Sequence, residues 1–183
     1  MRSITRLSLV LLLALSRVAH ADSFKLLSDD IHEGQRLHNE QVYQGFGCHG
    51  GNLSPALSWQ GAPEGTKSFA VTVFDPDAPG GHGWWHWTLV NIPSTVNHLA
   101  KGVSKQRGTL PSGAVEGKTD FEQTGFGGAC PPVGDKPHRY QFTVWALQKT
   151  TIDIHEHNDG ASVNKVLEAN AIAKASITAI YGR

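Results

Sequence analysis

The sequence predicts a mainly β protein, an antiparallel β-sandwich with one or two peripheral helices. Short apolar runs rich in β-branched and aromatic residues recur along the chain, each bounded by Gly, Pro, Asn or Asp. Only one later segment carries a helical period. With 20 Gly, 9 Pro and 17% charged residues among 183, a long coiled coil is excluded, and 39% hydrophobic content is enough for a core. The formal charge is zero, which argues against a nucleic-acid binder that relies on bulk positive charge.

In chain order, residues 1–21 read as a secretory signal peptide. Arg2 and Arg6 precede the nine-residue apolar run from Leu7 to Leu15, and Ala19-His20-Ala21 supplies an A-x-A processing site. The run is too short to span a bilayer, which takes about 20 residues, and nothing later suggests an integral membrane segment. The expected domain is residues 22–183. Removing Arg2, Arg6 and Arg17 leaves 13 bases against 16 acids, a net charge of −3. Export to a bacterial periplasm follows, with release from the cell left open. In that oxidising compartment the two cysteines, Cys48 and Cys130, favour a disulfide.

Strands are expected at Phe24–Leu27, Ala56–Trp59, Ser68–Phe74, Trp84–Asn91, Arg139–Leu147 and Ser176–Tyr181, and a helix at Ser162–Lys174. Strand alternation puts Trp85 and Trp87 on one face and Trp84 and His86 on the other, and likewise pairs His138 with Tyr140. Residues 102–115 and 117–137 form long Gly- and Pro-rich connections of the kind that often carry function.

Three segments hold candidate chemistry. Asp75-Pro-Asp-Ala-Pro79 leaves a strongly apolar strand; it reads either as an exposed turn or as a stiffened exit that aims two carboxylates. Gly80-Gly-His-Gly-Trp-Trp-His-Trp87 concentrates three Trp and two His; its His86 reads either as a satisfied core histidine or as a site residue. Its spacing matches no metal motif, so no metal or cofactor is expected. Gly125-Phe-Gly-Gly-Ala-Cys-Pro-Pro132 could aim backbone N–H groups at an anion. There is no G-x-S-x-G elbow and no Walker loop. The set suits a small-anion site or acid–base work.

Taken together, Gly45-Phe-Gly-Cys-His-Gly-Gly-Asn-Leu-Ser-Pro55, Trp59, Pro63-Glu-Gly-Thr-Lys-Ser-Phe-Ala70, Asp75–Pro79, Gly83-Trp-Trp-His-Trp87, Val90-Asn-Ile-Pro93, Gly127–Pro132 and His138-Arg-Tyr140 resemble the phosphatidylethanolamine-binding protein family, in its bacterial YbhB/YbcL type and exported branch. The resemblance implies a β-sandwich with a small cavity for phosphate or phosphoethanolamine-like head groups. Asp75, His86, Gly128, Cys130, His138 and Tyr140 would line it, and Asp77, Pro79 and Trp85 would shape its rim. The Gly128–Cys130 backbone and the histidines would hold the anion, with no catalytic residue. Cys130 and Gly80-Gly81 depart from the eukaryotic pattern, which speaks against kinase regulation. The resemblance also allows a homodimer and a protein target engaged through the long loops, as a protease inhibitor or host-directed factor. Hydrolysis by Asp75, His86 and His138 is the less favoured alternative.

Overall fold

A computed structural model describes residues 23–104 and 109–183. The expected signal peptide lies outside the described residues, as does part of the connection 102–115.

Among the described residues the strands are β1 (Lys25–Leu27), β2 (Gln44–Gly45), β3 (Cys48–His49), β4 (Leu57–Gln60), β5 (Ser68–Asp75), β6 (Trp84–Pro93), β7 (His98–Leu99), β8 (Val115–Glu116), β9 (His138–Leu147) and β10 (Ala171–Tyr181), with one α-helix, α1 (Gly160–Asn170), and a single 3-10 turn at Asn39–Gln41. They form a five-stranded sheet ordered β10-β9-β5-β6-β8, a three-stranded sheet β1-β4-β7 and a small hairpin β2-β3, all with antiparallel pairing. The chain is therefore mainly β, as the turn-bounded apolar runs predict.

β5 shows why the large sheet sits at the centre. Seven of its eight residues are buried, so both faces are covered and the strand reads as a continuous apolar run. Its inner face, with those of β6 and β9, packs Phe69, Val71, Val73, Trp87, Leu89, Tyr140, Phe142 and Val144 against Leu26, Leu57, Trp59 and Leu99 of the small sheet. On the outer face α1 lays Val163 and Leu167 over Ala70, Val90, Trp145 and Leu147.

The helix is shorter than its apolar period suggests. Asp159 caps its start, accepting from the Ser162 N–H at 2.7 Å. It stops at Asn170, not Lys174, because Ala171 is already extended and pairs with Leu147. Pairing along the whole edge of β9 outcompetes one further helical turn. Ile172 falls at the resulting bulge and is left exposed.

β6 departs from simple alternation at the point that matters for function. Trp87 pairs with Val73 and Trp85 with Phe74, which leaves His86 as an extra residue, a β-bulge. The bulge separates Trp85 from Trp87, which were expected on one face. Trp87 enters the inner core, edge-on to Phe126, while Trp85 packs on Phe74 (ring centroids 4.4 Å apart) and against Gly160 of α1.

Candidate functional site

A cavity of about 260 Å³ opens at one end of the inner layer, where β5 ends, β9 begins and β6 bulges. Its polar lining is Asp75, His86, His138 and Tyr140. Ala78, Pro79, Trp84, Phe121, Phe46 and the Cys130-Pro131-Pro132 segment complete the wall.

Asp75 ends β5 almost fully buried. Its Oδ1 accepts from the Asp77 N–H at 2.8 Å, an Asx-type turn, and its Oδ2 accepts from His138 Nδ1 at 2.7 Å. The carboxylate thereby fixes the His138 ring with Nδ1 protonated. His138 Nε2 looks toward Asp135 at 3.5 Å.

His86 Nδ1 lies 2.8 Å from the Gly127 carbonyl oxygen. A carbonyl only accepts, so Nδ1 carries the proton and Nε2 of the neutral ring is an acceptor. Burial pushes the pKa of His86 below its ordinary value, opposed by the Gly127 carbonyl and the Asp75 carboxylate. Tyr140 and Phe121 stand edge-on to the imidazole at centroid distances of 5.1 and 5.2 Å. Burial also drives the Tyr140 phenol far above its usual range, so the hydroxyl stays a donor. Neither that hydroxyl nor the Trp84 indole N–H, both buried, donates to an acceptor.

Two loops form the roof. The disulfide Cys48–Cys130 joins the β2-β3 hairpin to the Gly127–Pro132 segment, with Cα atoms 6.0 Å apart. Arg183 ties the same loops again, donating to the carbonyls of Pro131 (2.6 Å), Gly47 (3.0 Å) and Phe46 (3.3 Å). Beneath them Phe121 stacks on Tyr43 at 4.2 Å.

The structure thus brings Asp75, Pro79, His86, Cys130, His138 and Tyr140 around one cavity. Of the other three, Asp77 stays beside the cavity, while Trp85 and Gly128 lie away from it. Trp85 is on the opposite face of the sheet, and Trp84 takes the wall position. Alternation had already set Trp84 beside His86; the rim position of Trp85 came only from the resemblance. Asp77 lies just outside, gripping Arg139 at 2.7 and 2.8 Å, a pairing that holds its carboxyl down at about 2. Gly128 packs beneath the wall against the Gln41–Tyr43 backbone, where a Cβ would collide.

The glycine loop does not offer the expected row of backbone donors. Gly127 N–H donates to the His86 carbonyl, Gly128 N–H to Asn52 Oδ1 and Ala129 N–H to the Gln41 carbonyl. These bonds brace the loop; the Cys130 N–H, the remaining donor of the expected row, faces the Tyr140 hydroxyl. Phe46, Trp84 and Phe121 line the cavity without having been singled out as ligand contacts. Phe121 had no local signal, lying inside the long connection 117–137.

Fold and cavity define a β-sandwich protein with a small, mostly apolar pocket holding a few convergent polar groups. Residues 27–182 match the phosphatidylethanolamine-binding protein family, and the chain belongs to it. It is 57% identical over 164 residues to the UPF0098 protein YbcL of Escherichia coli K12 (89% of this chain, 90% of YbcL), and 45% identical over 157 residues to YbhB of the same organism (86% and 99%). The crystal structure of E. coli YbcL, described as a new member of the mammalian PEBP family, superposes with a TM-score of 0.86 at 56% identity (87% of this chain, 98% of that one). A homologue from Chlamydia trachomatis superposes at 0.73 with 27% identity (88% and 98%).

Proposed function

We propose that this protein is an exported, non-catalytic binding protein whose cavity takes a small phosphate-type head group, such as phosphate or phosphoethanolamine. The observation that carries this reading is the pair of buried donors without an acceptor on the cavity wall, the Tyr140 hydroxyl and the Trp84 indole N–H. A buried donor without an acceptor is destabilising, and the oxygens of an anion in the cavity would supply acceptors. Export is supported by the Cys48–Cys130 disulfide, and a binding role by membership of the phosphatidylethanolamine-binding family.

The histidines set the ligand's protonation state. Neutral His86 presents an Nε2 lone pair, so an anion is accepted either with a P–OH that donates to Nε2 or together with a proton taken up by the ring. Both routes strengthen binding as pH falls, because phosphomonoesters lose their second proton near pH 6 and free His86 titrates below its ordinary value. Calorimetry with phosphate and phosphoethanolamine should give a tighter complex at pH 5.5 than at 7.5. Tyr140→Phe should weaken it about tenfold, the loss of one hydrogen bond to a charged group, and His86→Ala should remove the pH dependence. Absent heat, or equal heat in wild type and both variants, would refute the reading.

A further inference from the structure

A second hollow, a cleft of about 410 Å³, lies on the outer face of the five-stranded sheet where α1 meets β5, β9 and β10. It shares no residue with the head-group cavity. The cleft exists because α1 covers only part of that face. Ala70, Trp145 and Leu147 lie under the helix, but toward the start of β9 the outward side chains turn polar.

Two cross-strand rows form the floor. Thr72, Thr143 and Ser176 stand directly opposite one another on β5, β9 and β10. Phe74, Gln141 and Thr178 do the same in the next row. Neighbouring strands lie about 4.8 Å apart, so each row repeats side chains at that spacing. Asn164 and Glu168 of α1 make one wall. Phe74 and Trp85, half-buried with ring centroids 4.4 Å apart, make an aromatic end.

The charged side chains of the cleft, Glu168 and Lys174, pair with each other at 2.9 Å. The Lys174 ammonium also lies over the Trp145 ring, 4.7 Å from its centroid. The cleft therefore carries no net charge, and an anionic head group, a nucleic acid or a charged peptide gains no attraction from it. What remains is hydroxyl and carboxamide, groups that both donate and accept. Thr143 and Ser176 join their hydroxyls at 2.8 Å, and Thr72 accepts from Trp145 Nε1 at 2.9 Å. The half-exposed side chains of Gln141, Asn164 and Thr178 have no hydrogen-bond partner among the described residues. Their capacity is open to a ligand with many neutral donors and acceptors and an apolar face for the rings. A pyranose has both, with hydroxyls around its rim and C–H groups on its faces.

We infer that this cleft is a second binding site, for a neutral oligosaccharide, on the other side of the sheet from the head-group cavity. The inference is independent of the head-group reading.

Titration of isotope-labelled protein with maltotriose, cellotriose and tri-N-acetylchitotriose, followed on the tryptophan indole N–H signals, tests it. Trp85 and Trp145 report on the cleft, and Trp84 on the cavity. At millimolar concentration at least one saccharide should shift the Trp85 and Trp145 signals and leave Trp84 in place. Gln141→Ala should weaken that binding about fivefold, the loss of one neutral hydrogen bond. Ser176→Tyr, at an exposed position on β10, should fill the cleft and abolish the shifts. An unchanged melting temperature and Trp84 signal in that variant separate blocking from lost folding. Silence of both cleft signals toward all three saccharides overturns the site. So do shifts confined to Trp84, which put the sugar in the cavity, and cleft shifts that survive both substitutions. Movement of the Trp85 and Trp145 signals on diluting the protein alone would assign the cleft to a second copy of the chain and overturn the saccharide site.

Discussion

The two faces of the five-stranded sheet are closed by different means. On the outer face α1 drops Val163 and Leu167 onto Ala70, Val90, Trp145 and Leu147, and apolar burial completes the seal. At the cavity end of the inner face the roof is made of loops, held by a disulfide, an arginine bridging three carbonyls and a braced glycine segment. The first kind of closure fills space with side chains in regular positions. The second spans space, and so leaves a chamber with donors that have no acceptor. The outer closure thus touches no cavity residue, while the roof both stabilises the fold and shapes the cavity.

The largest expected effect lies in the roof, at the disulfide, where stability and binding should fall together. Replacing Cys48 and Cys130 with Ser frees a loop of 82 residues' separation, which in the chain-entropy model lowers stability by about 4 kcal/mol at most. Urea unfolding should show that loss, and phosphoethanolamine binding should weaken with it because the roof is no longer pinned. Next in size is Leu167→Ala beneath α1. Truncating a fully buried leucine should lower stability by about 3 kcal/mol, yet the head-group affinity of the folded protein should not change. A parallel drop in affinity would break the comparison, since it would couple the helix face to the cavity.

The smallest effect is the pH dependence contributed by His86. Burial holds its folded-state pKa below the ordinary 6.5, so as pH falls the unfolded chain takes up the proton first. Its contribution to stability is complete above about pH 6.5 and is lost as pH falls below that value toward the folded pKa. Urea midpoints at pH 7.5 and 5.5 should differ less in His86→Gln than in wild type. An unchanged difference would show that His86 is not held neutral by its surroundings.

The same division decides how much the sequence discloses. β5, β6 and β9 are legible because apolar and β-branched residues run unbroken between Pro- and Asp-marked ends. The two-residue strands β2, β3, β7 and β8 are too short to carry any period. The α1–β10 boundary is obscured because Ala171–Lys174 suits either period, and only pairing with β9 decides. At the site, His138 and Tyr140 follow from alternation on one strand. The positions of Trp85 and Trp87 do not, because the bulge at His86 shifts the pattern by one residue. The loop donors are the harder case. Glycines at 127 and 128 signal close backbone approach, but whether their N–H groups face a ligand or the protein depends on Asn52 and Gln41, which lie far away in sequence.

The covalent link also bears on how the chain reaches its native state. The ring closed by Cys48 and Cys130 contains β4 through β8, with the paired strands β5 and β6, but excludes β9 and β10. β5 needs β9 along its free side. A chain oxidised before β9 docks would therefore present β5, an apolar strand, as a bare sheet edge, the feature most prone to intermolecular pairing. The order of oxidation and strand docking thus becomes a determinant of yield. Refolding under slow oxidation should give more monomer than refolding under rapid oxidation.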